Sequence, residues 1–294
     1  MSDDPIQAEL IAVLVAVTDG EPRVLTIDSG FALPSGPLES GHRSLQAGLR
    51  AWVERQTHHP VGYVEQLYTF ADQQRGHKSR SISISYLGLT REAAAYPEAN
   101  WVNWYDYFPW EDRRQNSALV AAEIMPRLHG WADGRNDRVE RTASLFGQDG
   151  KRWNEEWVLQ RYELLYEAGL IPEAQRGQAH PAPPVPGQEM THDHRRILAT
   201  AIARLRAKIK YRPVVFELLA RHFTLLELQQ AMEALAGQGL HKPNFRRLIE
   251  QQELVEETGE FSSGLAGRPA KLFRFRPAII EERGFSGTKL PLVR

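Results

Sequence analysis

Between Pro172 and Gln188 the chain reads Pro-Glu-Ala-Gln-Arg-Gly-Gln-Ala-His-Pro-Ala-Pro-Pro-Val-Pro-Gly-Gln, and the hydrophobic periodicity differs on its two sides. Proline fixes φ and has no N–H to donate, so such a run continues neither a helix nor an inner strand. It has little to bury and tends to extended, semi-rigid conformations, which predicts a linker or a long surface excursion over residues 173–190. With 294 residues in the chain, two domains are expected, spanning 1–172 and 191–276, followed by a tail over 277–294.

The first ninety residues alternate between strand-like and helix-like patterns. Leu10 to Val17 is a β-branched apolar run, and Val24 to Ile27 is its short partner across Asp19-Gly20-Glu21-Pro22. Residues 43–57 carry Leu45, Leu49, Trp52 and Val53 at helical spacing. Tyr63 to Phe70 and Ser81 to Leu89 read as strands, the second alternating Ile82, Ile84 and Tyr86 with Ser81, Ser83 and Ser85. Further helices are expected at 115–131 and 154–168, after an aromatic-rich loop from Trp101 to Trp110. The pattern predicts a mixed α/β layer fold.

After the prolines the pattern is helical. From Asp193 to Lys210, Ile197, Ala201, Leu205 and Ile209 step by four. Pro213 to Ala220 reads as a short helix opened by proline, and Thr224 with Glu227 forms a capping box for a helix to Ala236. Pro243 starts a further helix through Gln251, and Leu254 to Thr258 with Lys271 to Phe275 reads as a hairpin. Three helices followed by a hairpin is the winged-helix plan.

Composition excludes several classes. With no cysteine there is no disulfide framework, thiolate zinc site or cysteine nucleophile. The net charge of -1 rules out a uniformly basic coat, although DNA affinity depends on a local patch. The start Met1-Ser2-Asp3-Asp4 is acidic where a signal peptide is basic, and Leu10 to Val17 is half a membrane span. A cytoplasmic protein with no membrane partner is expected.

The phrase Leu33-Pro34-Ser35-Gly36-Pro37-Leu38-Glu39-Ser40-Gly41 leads into the helix carrying Arg50, Ala51, Trp52, Val53, Glu54 and Arg55. This resembles the Nudix box, a loop–helix unit that clusters carboxylates on one helix face to hold divalent metal against a pyrophosphate. The spacing from Gly36 through position 42 to Arg50 is that of the box. Its chemistry is not: His42 stands at the first glutamate, Ala51 at the second, Arg55 at the last and Thr57 at the closing glycine, leaving Glu54. One carboxylate beside an arginine is a poor Mg²⁺ site. A pocket at Ser35, Gly36, His42, Arg50, Glu54 and Arg80 is therefore expected to bind a pyrophosphate-containing nucleotide without cutting it, with no catalytic residue, metal or cofactor. A plain amphipathic helix would share this spacing by chance; the order of the surrounding strands favours the motif.

Residues 242–247 read Lys-Pro-Asn-Phe-Arg-Arg. On a helix Phe245, Leu248 and Ile249 face the core, leaving Lys242, Asn244, Arg246 and Arg247 outward. Arg reads guanine, Asn reads adenine and Lys contacts phosphate. The helix N-terminus at Thr224 offers further amides to phosphate. Gly267-Arg268-Pro269-Ala270-Lys271 supplies a basic wing tip through Arg268 and Lys271. Most charged helices are solvated faces, but the capping box, the wing and the helical order together favour a DNA reader.

In the phrases Tyr162-Glu163-Leu164-Leu165-Tyr166-Glu167-Ala168-Gly169-Leu170, Phe223-Thr224-Leu225-Leu226-Glu227-Leu228-Gln229, Asn244-Phe245-Arg246-Arg247 and Gly267-Arg268-Pro269-Ala270, the chain is similar to the Nudix-related transcriptional regulators of NAD metabolism, of the NrtR and NadQ type. The resemblance covers about residues 8–90 and 155–276. It implies an α/β Nudix-like sandwich, a mixed sheet between helices, joined to a C-terminal winged helix-turn-helix domain. It further implies a homodimeric repressor of NAD biosynthesis or salvage genes, with a palindromic double-stranded operator and ADP-ribose or a related NAD-pathway nucleotide as effector. Residues 91–154 lie outside the resemblance and are expected to carry extra helices.

Two smaller signals have bland readings. Asp193, between His192 and His194, is expected to cap a helix rather than join a metal site, since no third ligand follows at helical spacing. Trp101, Trp104, Tyr105, Tyr107, Phe108 and Trp110 are expected to pack a loop onto the sheet rather than stack an adenine. A working Nudix hydrolase with an accessory domain, and a protein-binding helical module, are the rival functions. The missing carboxylates speak against the first, and the salt dependence of binding separates the second.

Overall fold

From Leu10 to Ala16 every side chain is buried. Such an unbroken run belongs to a strand covered on both faces. The computed structural model describes residues 7–71, 81–92, 99–114, 118–179, 181–262 and 269–276. Within them the run is the middle of β1 (Gln7–Thr18), the central strand of the larger sheet. It is followed by β2 (Glu21–Ile27), β3 (Ser35–Pro37), α1 (Leu45–Thr57), β4 (Val64–Phe70), β5 (Ser81–Leu89) and β6 (Ala99–Asn103).

The strand order is β4-β5-β1-β2-β6, with β3 also paired to β1. Only β1 and β5 run parallel. One face of the sheet carries Leu10, Ala12, Leu14 and Tyr86, packed under Leu49 and Val53 of α1. The other carries Ile11, Val13, Val15 and Leu87, packed under the remaining helices. This is the mixed sheet between helices that the sequence predicts. Ser83 and Ser85 are buried as well, because β5 lies inside the sheet. The Ser85 hydroxyl is satisfied by donating to the Tyr68 carbonyl at 2.8 Å.

The helices continue as α2 (Trp104–Tyr107), α3 (Met125–Ala132), α4 (Asn136–Phe146), α5 (Val158–Glu167) and α6 (Pro172–Gln175). Trp104, Tyr105, Tyr107, Phe108 and Trp110 are all buried, so the aromatic segment is core rather than a nucleotide platform. Helix α4 lies among the extra helices expected over 91–154, but the sequence does not mark its bounds. Its buried residues, Thr142, Ala143, Leu145 and Phe146, all lie near its C-terminal end, too short a stretch for a helical period to register.

The proline-rich stretch is not a tether. Glu173, Val185 and Met190 are buried. The Val185 N–H donates to the Leu170 carbonyl at 2.8 Å, and the Gln188 N–H to that of Asp106 at 2.8 Å. The stretch is a surface excursion pinned at both ends, and it delivers the chain to α7 (His194–Lys208). Asp193 occupies the N-cap position of α7, yet its side chain makes no capping hydrogen bond.

Pro213 precedes a 3-10 turn, Val214–Leu218, rather than opening an α-helix. The chain then forms α8 (Leu225–Ala236), α9 (Lys242–Gln252), β7 (Val255–Phe261) and β8 (Lys271–Phe275), the last two an antiparallel hairpin. Ile11, Leu164, Leu205, Leu228 and Phe245 belong to a single buried cluster. The two halves expected from the sequence thus share one core, and no free linker separates them. Among the described residues, no helix is long and apolar enough to cross a membrane.

Candidate functional site

Helix α9 presents two faces. Phe245 and Ile249 are buried, while Lys242, Asn244, Arg246 and Arg247 are exposed. At about 100° per residue, Arg247 lies diametrically opposite the buried pair, with Arg246 and Asn244 on its flanks. Lys242, Arg246 and Arg247 have no acidic partner among the described residues. Exposed cations without an internal partner are available to neutralise phosphates.

The other DNA-facing candidates are differently placed. Thr224 forms the capping box that the sequence predicts: its hydroxyl accepts from the Glu227 N–H at 3.2 Å, and its own N–H donates to the Glu227 carboxylate at 2.6 Å. The Thr224 amide is thus already paired, and the Glu227 carboxylate brings negative charge to the helix start. Lys271 is held by both carboxylate oxygens of Glu257, at 2.8 and 2.9 Å, and Arg274 pairs with Glu256. The cations of the described part of the wing are therefore internally neutralised. Arg268 lies outside the described residues.

The loop–helix unit in the first half has its own geometry. Ser35 and Gly36 stand in β3 opposite Ile11 and Leu10. Gln56 of α1 clasps the Ser35 backbone, accepting its N–H at 3.1 Å and donating to its carbonyl at 2.9 Å. A Cβ at Gly36 would stand 2.3 Å from the Trp52 ring, so only glycine admits this approach. The Trp52 indole donates to the Pro37 carbonyl at 3.0 Å, and the Arg55 guanidinium stacks 4.5 Å above its ring. His42 accepts the Glu39 N–H on Nδ1 at 3.1 Å and closes the turn before α1.

Two of the remaining residues part company. Glu54 is exposed, with no ion pair among the described residues. The Arg50 guanidinium donates to the Val61 and Gly62 carbonyls and fastens the loop after α1. Arg80 lies outside the described residues. The structure thus sets Ser35 and Gly36 against Gln56 and Trp52 in the second half of α1, while His42 packs against Gly48 near its start.

Residues 215–275 match the family model of the NrtR DNA-binding winged helix domain. Over the full length, the fold resembles that of Shewanella oneidensis NrtR, solved in complex with a 27-mer DNA, with a TM-score of 0.56 at 21% identity, covering 93% of this chain and 95% of that one. The chain shares that fold over both halves. A MutT/nudix family protein from Enterococcus faecalis is similar at a TM-score of 0.54 and 15% identity, covering 94% of this chain and 88% of that one. The ADPR-responsive transcriptional repressor NtrR of Acinetobacter baylyi is 41% identical over 88 residues, 30% of this chain. That stretch spans about a third of the relative's length, 34%.

In the NrtR-type winged helix seen here, β8 also bridges back to the turn before α8. Phe223 and Phe273 exchange both backbone hydrogen bonds, at 3.0 and 2.8 Å, and Phe216 stacks on Phe275 with ring centroids 4.4 Å apart. His194, weighed in the sequence only as a metal ligand, has a structural role instead. Its ring is buried, and its Nδ1 accepts the Leu33 N–H at 2.9 Å. The sequence reading missed Glu111, Arg161 and Arg206, charged residues with no exposed surface. In sequence these read as surface charges, since only tertiary neighbours make burial of a charge tolerable.

Proposed function

We propose that this chain is a sequence-specific DNA-binding repressor of NAD biosynthesis or salvage genes, acting as a homodimer on a palindromic operator. Its α1 region binds an NAD-pathway nucleotide such as ADP-ribose as effector and does not hydrolyse it. The observation that carries the reading is the unpaired cationic stripe of α9, Lys242, Arg246 and Arg247, inside a segment that matches the NrtR DNA-binding domain. A single winged helix covers a short site, which favours two copies reading half-sites about one helical turn apart.

The effector half of the proposal rests on the loop–helix unit that carries Ser35, Gly36 and His42, and it includes Arg80, which directly precedes β5 in the sequence. Absence of turnover follows from His42, Ala51 and Arg55 standing where the Nudix box has carboxylates. The name of the Acinetobacter baylyi relative, which responds to ADPR, selects ADP-ribose as the first nucleotide to try.

The test is a fluorescence-anisotropy titration of the intact protein against duplexes from promoters of NAD-metabolism genes, with and without ADP-ribose. Specific, steeply salt-dependent binding that ADP-ribose alters is the expected result. Binding indifferent to both DNA sequence and salt overturns the proposal. Calorimetry of ADP-ribose with Arg80→Ala, expected to bind more weakly, checks the placement of the pocket.

A further inference from the structure

A helix leaves its last carbonyls without intrahelical partners, and these must be satisfied from elsewhere. At the end of α8 the donors come from far outside the helix. The Tyr105 hydroxyl donates to the Ala234 carbonyl at 2.6 Å, the Arg206 Nε–H to that of Leu235 at 2.9 Å, and the Arg113 N–H to that of Gly237 at 2.8 Å. Gly237 is left-handed, with φ 69°, and a Cβ there would lie 2.3 Å from the Glu111 carbonyl oxygen. The guanidinium of Arg206 also neutralises the negative end of the helix dipole.

Arg206 is itself held from the first half of the chain. Its Nη1 donates to Glu111 Oε2 at 2.6 Å and its Nη2 to the Tyr105 hydroxyl at 3.2 Å, while Arg161 donates to both carboxylate oxygens of Glu111, at 2.6 and 2.8 Å. Glu111, Arg161 and Arg206 have no exposed surface.

Beyond α8 the connection is equally fixed. The Glu233 carboxylate accepts the Leu240 N–H at 2.8 Å and the Gln229 side-chain amide at 2.9 Å, so α9 turns with α8. On the other side, Tyr107 of the same aromatic segment donates to the Gly30 carbonyl at 2.5 Å, five residues before Ser35.

We infer that Tyr105, Glu111 and Arg206 are positioning residues for DNA reading: they form the joint through which the first half of the chain sets the placement of α9. The inference rests on the function proposed above and adds where the two activities meet. Buried, directional bonds hold one arrangement tightly, so a shift in the segment that carries Tyr105 and Glu111 is passed to α8 rather than absorbed.

The experiment uses the full chain, ADP-ribose as probe, and two variants, Tyr105→Phe and Gly237→Ala. The first removes one hydroxyl and keeps the ring. Operator affinity is measured with and without ADP-ribose, and ADP-ribose affinity with and without operator, beside thermal stability. Coupling is reciprocal, so in Tyr105→Phe both shifts should change by the same factor, about fivefold or more, while ADP-ribose affinity of the DNA-free protein stays put. A merely structural role lowers the melting temperature and leaves both shifts as in the parent; that outcome, in both variants, overturns the inference. If the parent binds operator but ignores ADP-ribose, the effector reading falls and the joint is judged on DNA alone. Operator binding weakened about fivefold or more with an unchanged salt slope then supports it, because no phosphate contact is lost, and parent-like affinity overturns it.

Discussion

The imidazole Nδ1 of His194 accepts the backbone N–H of Leu33 at 2.9 Å, tying the first turn of α7 to the chain two residues before Ser35. Burial, and then the nearby His192, depress the His194 pKa to about 4. The folded state thus holds this ring neutral, while the unfolded chain takes up a proton near pH 6.5. Its contribution to stability is complete above pH 6.5 and is lost as pH falls from there to about 4, a total of about 3 kcal/mol. His194→Asn keeps an acceptor for Leu33 without a titrating group. Denaturation curves collected between pH 7 and 4.5 should fall less steeply for the variant; parallel curves would refute the assignment.

Glu111 carries a second acid-side dependence. Burial pushes its carboxyl pKa up, but the guanidiniums of Arg161 and Arg206 outweigh burial and hold it below the ordinary value. A depressed carboxylate stabilises fully above its unfolded pKa of about 4.3 and loses that contribution as pH falls from there through its lower folded-state pKa. Glu111→Gln leaves two guanidiniums buried beside a neutral partner and should cost about 3–5 kcal/mol at neutral pH by urea denaturation. Its stability should then vary less with pH below about 4.3.

Under the proposed function, Arg247, opposite the buried face of α9, is expected to read a base and Arg246, on its flank, to contact phosphate. Arg247→Ala should cost roughly 1–3 kcal/mol on operator and relax preference at one position per half-site. Arg246→Ala should weaken operator and scrambled duplexes alike and flatten the salt dependence. Anisotropy titrations at several salt concentrations separate the two, and parent-like binding by both variants would mean α9 is not the recognition helix.

In the wing, Lys271 is paired with Glu257 at 2.8 Å, and under the proposed function a DNA phosphate would have to displace that carboxylate. Glu257→Ala should free the lysine and strengthen binding to every duplex, steepening the log–log salt slope by about one unit. An unchanged slope would show that Lys271 stays clear of the backbone.

For the α1 region, no hydrolysis of ADP-ribose, NADH or nucleoside triphosphates above background is expected with Mg²⁺ or Mn²⁺. Metal-dependent turnover that Glu54→Gln abolishes would make Glu54 a working ligand and sink the reading of a non-hydrolytic pocket.

Local periodicity made much of this legible. The β1 run, the spacing of Leu49 and Val53 in α1, the Thr224–Glu227 capping box and the split faces of α9 are all short-range patterns, and the backbone geometry of strand and helix converts them directly into buried and exposed faces. Proximity in space was not legible. Arg50 could have faced a ligand or the carbonyls of Val61 and Gly62, Lys271 could have been free or bound to Glu257, and the prolines after Pro172 could have been a tether or a pinned excursion. The meeting of Glu111 with Arg206, 95 residues away along the chain, was decided by how α7 and α8 close on the sheet. A charge is worth burying only where a partner already stands, and chain separation carries no trace of that.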